Sequence, residues 1–304
     1  MSTVVEATVV TDQPDAALIP LWNSIDSLLE FWDEHYSQTN MRSDVHRLNT
    51  RISPAVLIPR QLGRMMADAM AWGDTTHGMF DLTILPVKEL WGLGEGDTVH
   101  RRRPSAEALT DAVQKIDYRK VRISPGRDTA YFSNPAVTVD AGGFAKGYAL
   151  IETGKLLDSR GFRNYLVASG DVVGRGRRCN GKPWRIGIQH PRANRLLAIV
   201  PFDTGAVFTS GDYENFWMDG NRRIHHIFNP HTGRSCTNNQ SVTIRSSSPI
   251  QAKYLSTGLF CLPADSIVSF VMRRGLDCVV VDSGGRVVIS PGWRGRVREV
   301  IMGH

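Results

Sequence analysis

The sequence predicts an α+β protein with largely antiparallel sheets and flanking helices. Three observations carry that class. Apolar residues recur at three- and four-residue spacing in several segments, as on one face of a helix. Short apolar strands crowd the second half of the chain, separated by turn residues. Strands and helices do not alternate strictly, so a doubly wound parallel sheet is not expected. The 304 residues suffice for one large domain or two intimate ones, and no repeat or low-complexity linker divides them.

Leu21, Ile25, Leu28, Leu29, Trp32 and Tyr36 place the first helix over 21–36. A polar stretch covers 37–49. Pro59, a good first-turn residue, opens a second helix that runs to Trp72 with Leu62, Met65, Met66, Ala69 and Met70 facing inward. Arg101, Arg102, Arg103 and Pro104 mark a loop, and Ser105 reads as the N-cap of a short helix through 116. Residues 120–123 and 129–133 form a hairpin around 124–128. An apolar strand is expected over 136–139; it breaks at Gly142 and Gly143, and a helix continues to Arg160, stopped by Gly161. Strands are expected at 164–167, 184–189, 197–201, 206–209, 225–228 and 241–245. Helices follow over 249–262 and 264–274. Strands at 278–282 and 286–290 close the sheet around a Gly284-Gly285 turn.

Composition narrows the function. Hydrophobic residues at 41% and charged residues at 22% exclude a disordered chain. No apolar run approaches the roughly 20 residues that a membrane helix needs. The net charge of +6 is spread along the chain, which suits an anionic ligand but not a nucleic-acid module. Only seven of the 36 basic residues are lysines, so each lysine is informative. The cysteines at 179, 236, 261 and 278 lack C-x-x-C spacing and read as free thiols. The first 20 residues show no basic region, apolar core or lipobox cysteine, which predicts a cytoplasmic protein.

Four segments carry chemistry. In Val137 to Tyr148 a glycine pair leads onto a helix start, where free N–H groups and close backbone approach favour a phosphate or pyrophosphate. Lys146 in that first turn opposes the helix dipole, a cost that an anion would remove. Packing alone would also explain the glycines. In Gly78 to Pro86, Asp81 and Thr83 lie two apart and share a face, either to hold a nucleotide or to brace a turn. Thr209 to Tyr213 and His225 to Gly233 look like a site rim. His225 and His226 are adjacent and so point to opposite faces, which argues against a zinc site and for a single histidine acid or base. In the helix from Pro249, Lys253 and Thr257 share a face, and the lysine could serve phosphate oxygens.

Taken in order, these segments resemble the ApbE-type flavin transferase family. Ser43 to Asn49 is similar to its Ser-Glu-x-x-Arg-Leu-Asn segment, and Gly78 to Pro86 with Leu90-Trp91-Gly92 to its G-x-F-D-x-T…P…L-W-G block. Asp140 to Tyr148 resembles D-x-G-G-I-A-K-G-Y, and Asn164 to Asp171 resembles N-y-L-V-x-x-G-G-D. Thr209 to Tyr213 is an intact T-S-G-D-Y, and His226 to Gly233 resembles H-I-I-D-P-x-T-G. The resemblance spans roughly 20–290. It implies an ApbE-like, T-fold-related architecture: one domain over 1–304, with room for two intimate subdomains and the flavin site between them.

By resemblance, such a protein splits the FAD pyrophosphate and transfers FMN to a Ser or Thr hydroxyl of an acceptor flavoprotein, releasing AMP, with a divalent cation, usually magnesium, assisting. Gly142, Gly143 and the helix start would hold the pyrophosphate, with Asp140 and Lys146 beside them. Phe80, Asp81, Thr83, Tyr148 and Ile227 match flavin-nucleotide contacts, and Ser210 and Gly211 belong to the same binding set. The Ala145 carbonyl and Thr257 match metal ligands. His226 would be the base for the acceptor hydroxyl. The departures are specific. Lys253 stands where the family has a metal-binding Asp, Asn229 where it has Asp, and its N-terminal Met-Gly-Thr strand is reduced to Glu6-Ala7-Thr8. Three outcomes remain open: transfer with Lys253 replacing the cation, FAD binding without transfer, or hydrolysis of FAD to FMN and AMP.

Overall fold

A computed structural model of the chain describes residues 4–94 and 101–295. It opens with β1 (Glu6–Val9), so the Glu6-Ala7-Thr8 remnant does form a strand. The long helix α1 (Asp15–Tyr36) starts before its apolar stripe does, with Asp15 favourably placed in the first turn. The polar stretch that follows hides a helix, α2 (Asp44–Asn49). Ser43 caps it by accepting from the His46 N–H at 3.0 Å. β2 (Ala55–Leu57) precedes α3 (Arg60–Thr75), which buries Leu62, Met65, Met66 and Ala69 as its periodicity demands. α4 (Leu85–Leu90) and α5 (Ala106–Lys115) come next, and Ser105 caps α5 through the Ala108 N–H at 3.1 Å. β3 (Val121–Ile123) and β4 (Thr129–Phe132) form the expected hairpin, and β2 adds to it in the order β2-β4-β3.

Residues 136–139 are not a strand. Their backbone finds side chains instead of a neighbouring ladder. Asn49 accepts from the Val139 N–H at 2.7 Å and donates to its carbonyl at 2.9 Å, and Arg51 donates to the Val137 carbonyl at 2.7 Å. A 3-10 turn over Ala141–Gly143 then leads into α6 (Ala145–Ser159), which ends at Gly161 in the left-handed region.

The strands that follow are β5 (Tyr165–Ser169), β6 (Asp171–Arg175), β7 (Trp184–Gln189), β8 (Leu196–Phe202) and β9 (Gly205–Gly211). After them come β10 (Phe216–Asp219), β11 (Arg222–His225), β12 (Phe228–Asn229), β13 (Arg234–Ser235) and β14 (Asn239–Ser246). The predicted 225–228 strand is thus split, with His226 and Ile227 between β11 and β12. α7 (Pro249–Gly258) stops short of 262, and tighter turns follow, with the Phe260 N–H on the Thr257 carbonyl and the Leu262 N–H on the Leu259 carbonyl. α8 (Ala264–Met272), β15 (Asp277–Asp282), β16 (Val287–Ile289) and α9 (Pro291–Arg294) complete the described chain.

The main sheet has seven strands in the order β1-β5-β6-β9-β14-β15-β16, all antiparallel. It stays open, with β1 and β16 at its edges, and does not close into a barrel. Alternate residues serve opposite faces. Val167, Val173, Phe208, Val242 and Ile244 pack against α1, α6, α7 and α8. Val172, Val207, Val279 and Val281 pack against the separate β7–β8 ribbon and Trp293. A further core joins α1, α2 and α3 to Phe80, Phe144 and Tyr148. Among the described residues no helix is long and apolar enough to cross a membrane.

The expectation of four free thiols is overturned for two of them. Cys236, just after β13, and Cys261, just beyond α7, form a disulfide with Cα atoms 5.0 Å apart. The fold brings together cysteines 25 residues apart, which no spacing motif would reveal. Cys179 and Cys278 remain free, one exposed and one buried.

Candidate functional site

A cavity of about 790 Å³ lies where the Ala141–Gly143 turn, β9, the His226 segment and α7 meet. Phe80, Asp81, Asp140, Gly142, Gly143, Lys146, Ser210, Gly211, His226, Ile227, Lys253 and Thr257 all line it. Of the residues singled out from sequence, Thr83, Ala145 and Tyr148 lie behind its wall. Tyr148 is 2% exposed, stacks on Trp32 and donates its hydroxyl to Asp68. Ala145 is buried as the first residue of α6. Thr83 braces Asp81: it donates its hydroxyl to Asp81 Oδ1 at 2.6 Å and accepts from the Asp117 N–H at 2.9 Å.

Asp81 is likewise turned towards the chain. Its Oδ1 also accepts from the Thr83 N–H at 2.8 Å, and its Oδ2 accepts from the Tyr118 N–H at 3.0 Å. The turn-bracing alternative therefore describes this pair, although Asp81 still forms part of the wall.

Three of the chain's seven lysines reach this cavity. Lys253, 7% exposed, donates from Nζ to the Gly143 carbonyl at 2.5 Å. Burial pushes its pKa down to about 8; Asp171 opposes that shift, and Lys146 adds to it. Lys146 Nζ lies 3.5 Å from Asp171 Oδ2, and Asp171 Oδ1 accepts from the Thr209 N–H at 2.9 Å. Lys88, on α4, pairs with Asp140 Oδ2 at 2.9 Å. Sequence reasoning missed Lys88 and passed over Asp171. The scarcity of lysine was the available signal for the first, and the Ser169-Gly170-Asp171 string for the second.

Two glycines let these groups meet. A Cβ on Gly147 would stand 2.3 Å from Lys253 Cδ, so α6 must be bare there for the lysine to cross it. A Cβ on Gly142 would stand 3.2 Å from Asp140 Oδ1 and 3.9 Å from Lys88 Nζ. The Gly142-Gly143 pair leaves open space where charged groups converge.

The two adjacent histidines divide as their alternation predicts. His225 is 2% exposed; its Nε2 donates to the Cys236 carbonyl at 2.7 Å, and its Nδ1 accepts from the Ile227 N–H at 3.3 Å. It is a satisfied core residue. His226 lines the cavity. Its Nδ1 lies 3.3 Å from the Asn215 carbonyl, which can only accept, so the proton sits on Nδ1 and Nε2 keeps its lone pair. Withdrawal of solvent, then the charge of Lys88, push its pKa down to about 3. It stays neutral at ordinary pH, as a base requires.

Other motif residues hold the walls. Ser210 Oγ lies 3.0 Å from Thr257 Oγ1, joining β9 to α7. Arg192 grips Asp212 through two hydrogen bonds of 2.6 and 2.5 Å. Asn229 accepts from the His231 N–H at 2.9 Å, a bond that the family's Asp would also accept.

The donors implied for a magnesium ion do not suit one in this chain. The position of the expected carboxylate holds the Lys253 ammonium, and a hard dication calls for oxygen donors, not a neighbouring positive charge. Among the described residues no group of three or more His, Cys, Asp and Glu side chains could hold a metal ion.

Known proteins resemble this chain in sequence and in fold. An FAD:protein FMN transferase of Klebsiella pneumoniae is 32% identical over 231 residues, covering 73% of this chain; the chain spans 66% of that protein's length. A crystal structure of the ApbE protein of Thermotoga maritima superposes with a TM-score of 0.90 at 28% identity, covering 98% of this chain and 96% of that one. The apo flavinyl transferase ApbE of Pseudomonas stutzeri gives 0.81 at 27% identity, covering 95% of each chain. The ApbE family model matches residues 1–280, and the chain belongs to the ApbE family.

Proposed function

We propose that this protein transfers FMN from FAD to a Ser or Thr hydroxyl of an acceptor protein. The observation that carries the reading is that Lys146 and Lys253, the latter bonded to the Gly143 carbonyl, line one cavity with the Gly142-Gly143 turn and a neutral His226. The acceptor oxygen attacks the FMN-side phosphorus, and the bond from that phosphorus to the bridging oxygen breaks. AMP leaves with the electron pair. The hydroxyl proton passes to His226 Nε2. Phosphoryl transfer needs little covalent help from a protein; it needs positioned groups and neutralised charge. The glycine turn lets the pyrophosphate approach, and Phe80 and Ile227 offer apolar wall to the rings.

In this reading the buried Lys253 ammonium supplies the positive charge that a divalent ion supplies elsewhere. The cavity is also read as lying between two subdomains, one built on the main sheet and one on α2 to α5.

The test is incubation of the protein with FAD and a candidate acceptor domain, with magnesium and with chelator, followed by mass spectrometry. The acceptor gains the mass of an FMN phosphoester in both conditions, and AMP appears in equal amount. Lys253→Asp makes transfer depend on magnesium. FAD binding with no mass added to any acceptor would overturn the transfer, and loss of transfer in chelator would overturn the role of Lys253.

A further inference from the structure

We infer that Lys88 contacts the transferred phosphoryl group, so that Lys88 and Lys253 form a two-ammonium clamp on the pyrophosphate. The inference rests on the flavin-transfer reading above and names a residue that reading does not require.

Geometry carries it. Lys88 comes from α4 and Lys253 from α7, yet both end on one three-residue turn. Lys253 Nζ reaches the Gly143 carbonyl at 2.5 Å, and Lys88 Nζ stands 3.9 Å from where a Cβ of Gly142 would lie. The two ammonium groups thus reach the Asp140 and Gly143 ends of one short segment from two helices. Lys88 also lies close enough to His226 that its charge opposes protonation of that ring. It lines one cavity with Lys253 and with His226.

The Lys88–Asp140 pair has side chains only 12% and 5% exposed. Such a pair is a poor device for stability, because desolvation offsets its attraction. An ammonium has three donors, and Asp140 Oδ2 engages one. The others can be given to a phosphoryl oxygen without releasing Asp140. As the bridging bond lengthens, charge gathers on the oxygens of the transferred group, and a fixed ammonium there lowers the barrier.

The experiment compares Lys88→Met with the parent, and Lys88→Met/Asp140→Asn with Asp140→Asn. The second comparison removes the carboxylate that would otherwise be stranded, so Lys88 is read in a background that does not need it for charge balance. Single-turnover FMN transfer at saturating FAD, FAD affinity by flavin fluorescence and melting temperature are measured for each. Lys88→Met should slow transfer about 100-fold, the loss typical of one electrostatic donor. The double variant should be at least about tenfold slower than, or bind FAD at least about tenfold more weakly than, Asp140→Asn at similar melting temperature. Lys88→Arg should recover most of the rate. Equal rates and FAD affinities in both comparisons overturn the inference. If the parent transfers no FMN, the transfer reading fails on its own, and FAD affinity decides for Lys88: weakening in the double variant against Asp140→Asn supports the clamp, and no change overturns it.

Discussion

Lys253 shows how one residue can set a pH dependence. Asp171 and Asp140 hold its proton on, while burial and Lys146 push it off, and burial wins. Its folded pKa of about 8 lies below the ordinary lysine value, so the unfolded chain binds more protons between pH 8 and about 10.4. Stability therefore rises through that window by up to about 3 kcal/mol relative to Lys253→Met. Denaturant melts of both proteins at pH 7.5 and 10 check the sign. FAD affinity should move the other way. A dianionic pyrophosphate prefers the ammonium, so affinity falls as pH climbs through about 8 in the parent and stays flatter in Lys253→Met. Titrations by fluorescence quenching read this directly. The identity of Lys253 was plain in the sequence, and so was its helical face. Its burial was not, because exposure depends on Gly147 of another helix.

At the level of elements, Gly147 links α6 to α7. Gly147→Ala favours the helix by up to about 1 kcal/mol but places a methyl against the Lys253 stem and 3.1 Å from the buried Phe208 ring. The lysine is the flexible party, so it moves away from the Gly143 carbonyl. Melting temperature falls by a few degrees while FAD affinity drops about tenfold, and calorimetry with fluorescence titration reads both. The 136–139 segment teaches the complementary lesson. Its apolar run reads as a strand, yet Asn49 and Arg51 satisfy its backbone. Asn49→Ala strands the buried Val139 N–H and carbonyl and should cost about 3 kcal/mol, measurable by urea unfolding. Periodicity found α1 and α3, the Ser105 cap marked α5, glycines bounded α6, and a turn marked the β3–β4 hairpin, because each of these signals is local. α2 escaped because its signal is a Ser43 cap in a polar stretch. β10 and β13 escaped because short ribbons are fixed by partners distant in sequence.

Across the whole molecule, the α+β class and the antiparallel pairing were readable from the spacing of strands and turns. The order β1-β5-β6-β9-β14-β15-β16 was not, since nothing local states which strands become neighbours. The site shows the same division. The glycine turn, His226 and Lys253 stood out as types in context. Lys88 and Asp171 gain meaning only when α4 and β6 bring them to one cavity with that turn, and Tyr148 and Thr83 prove to be supports behind it. The Cys236–Cys261 bond is likewise invisible locally, although it ties the segment after β13 to the end of α7.

The β7–β8 ribbon stands apart from the main sheet, and Gly187, Ile188, Gln189, Asn194, Arg195 and Leu196 at its turn end form part of the cavity wall. On the proposed transfer, an acceptor hydroxyl bound for His226 enters a cavity whose wall these ribbon residues share.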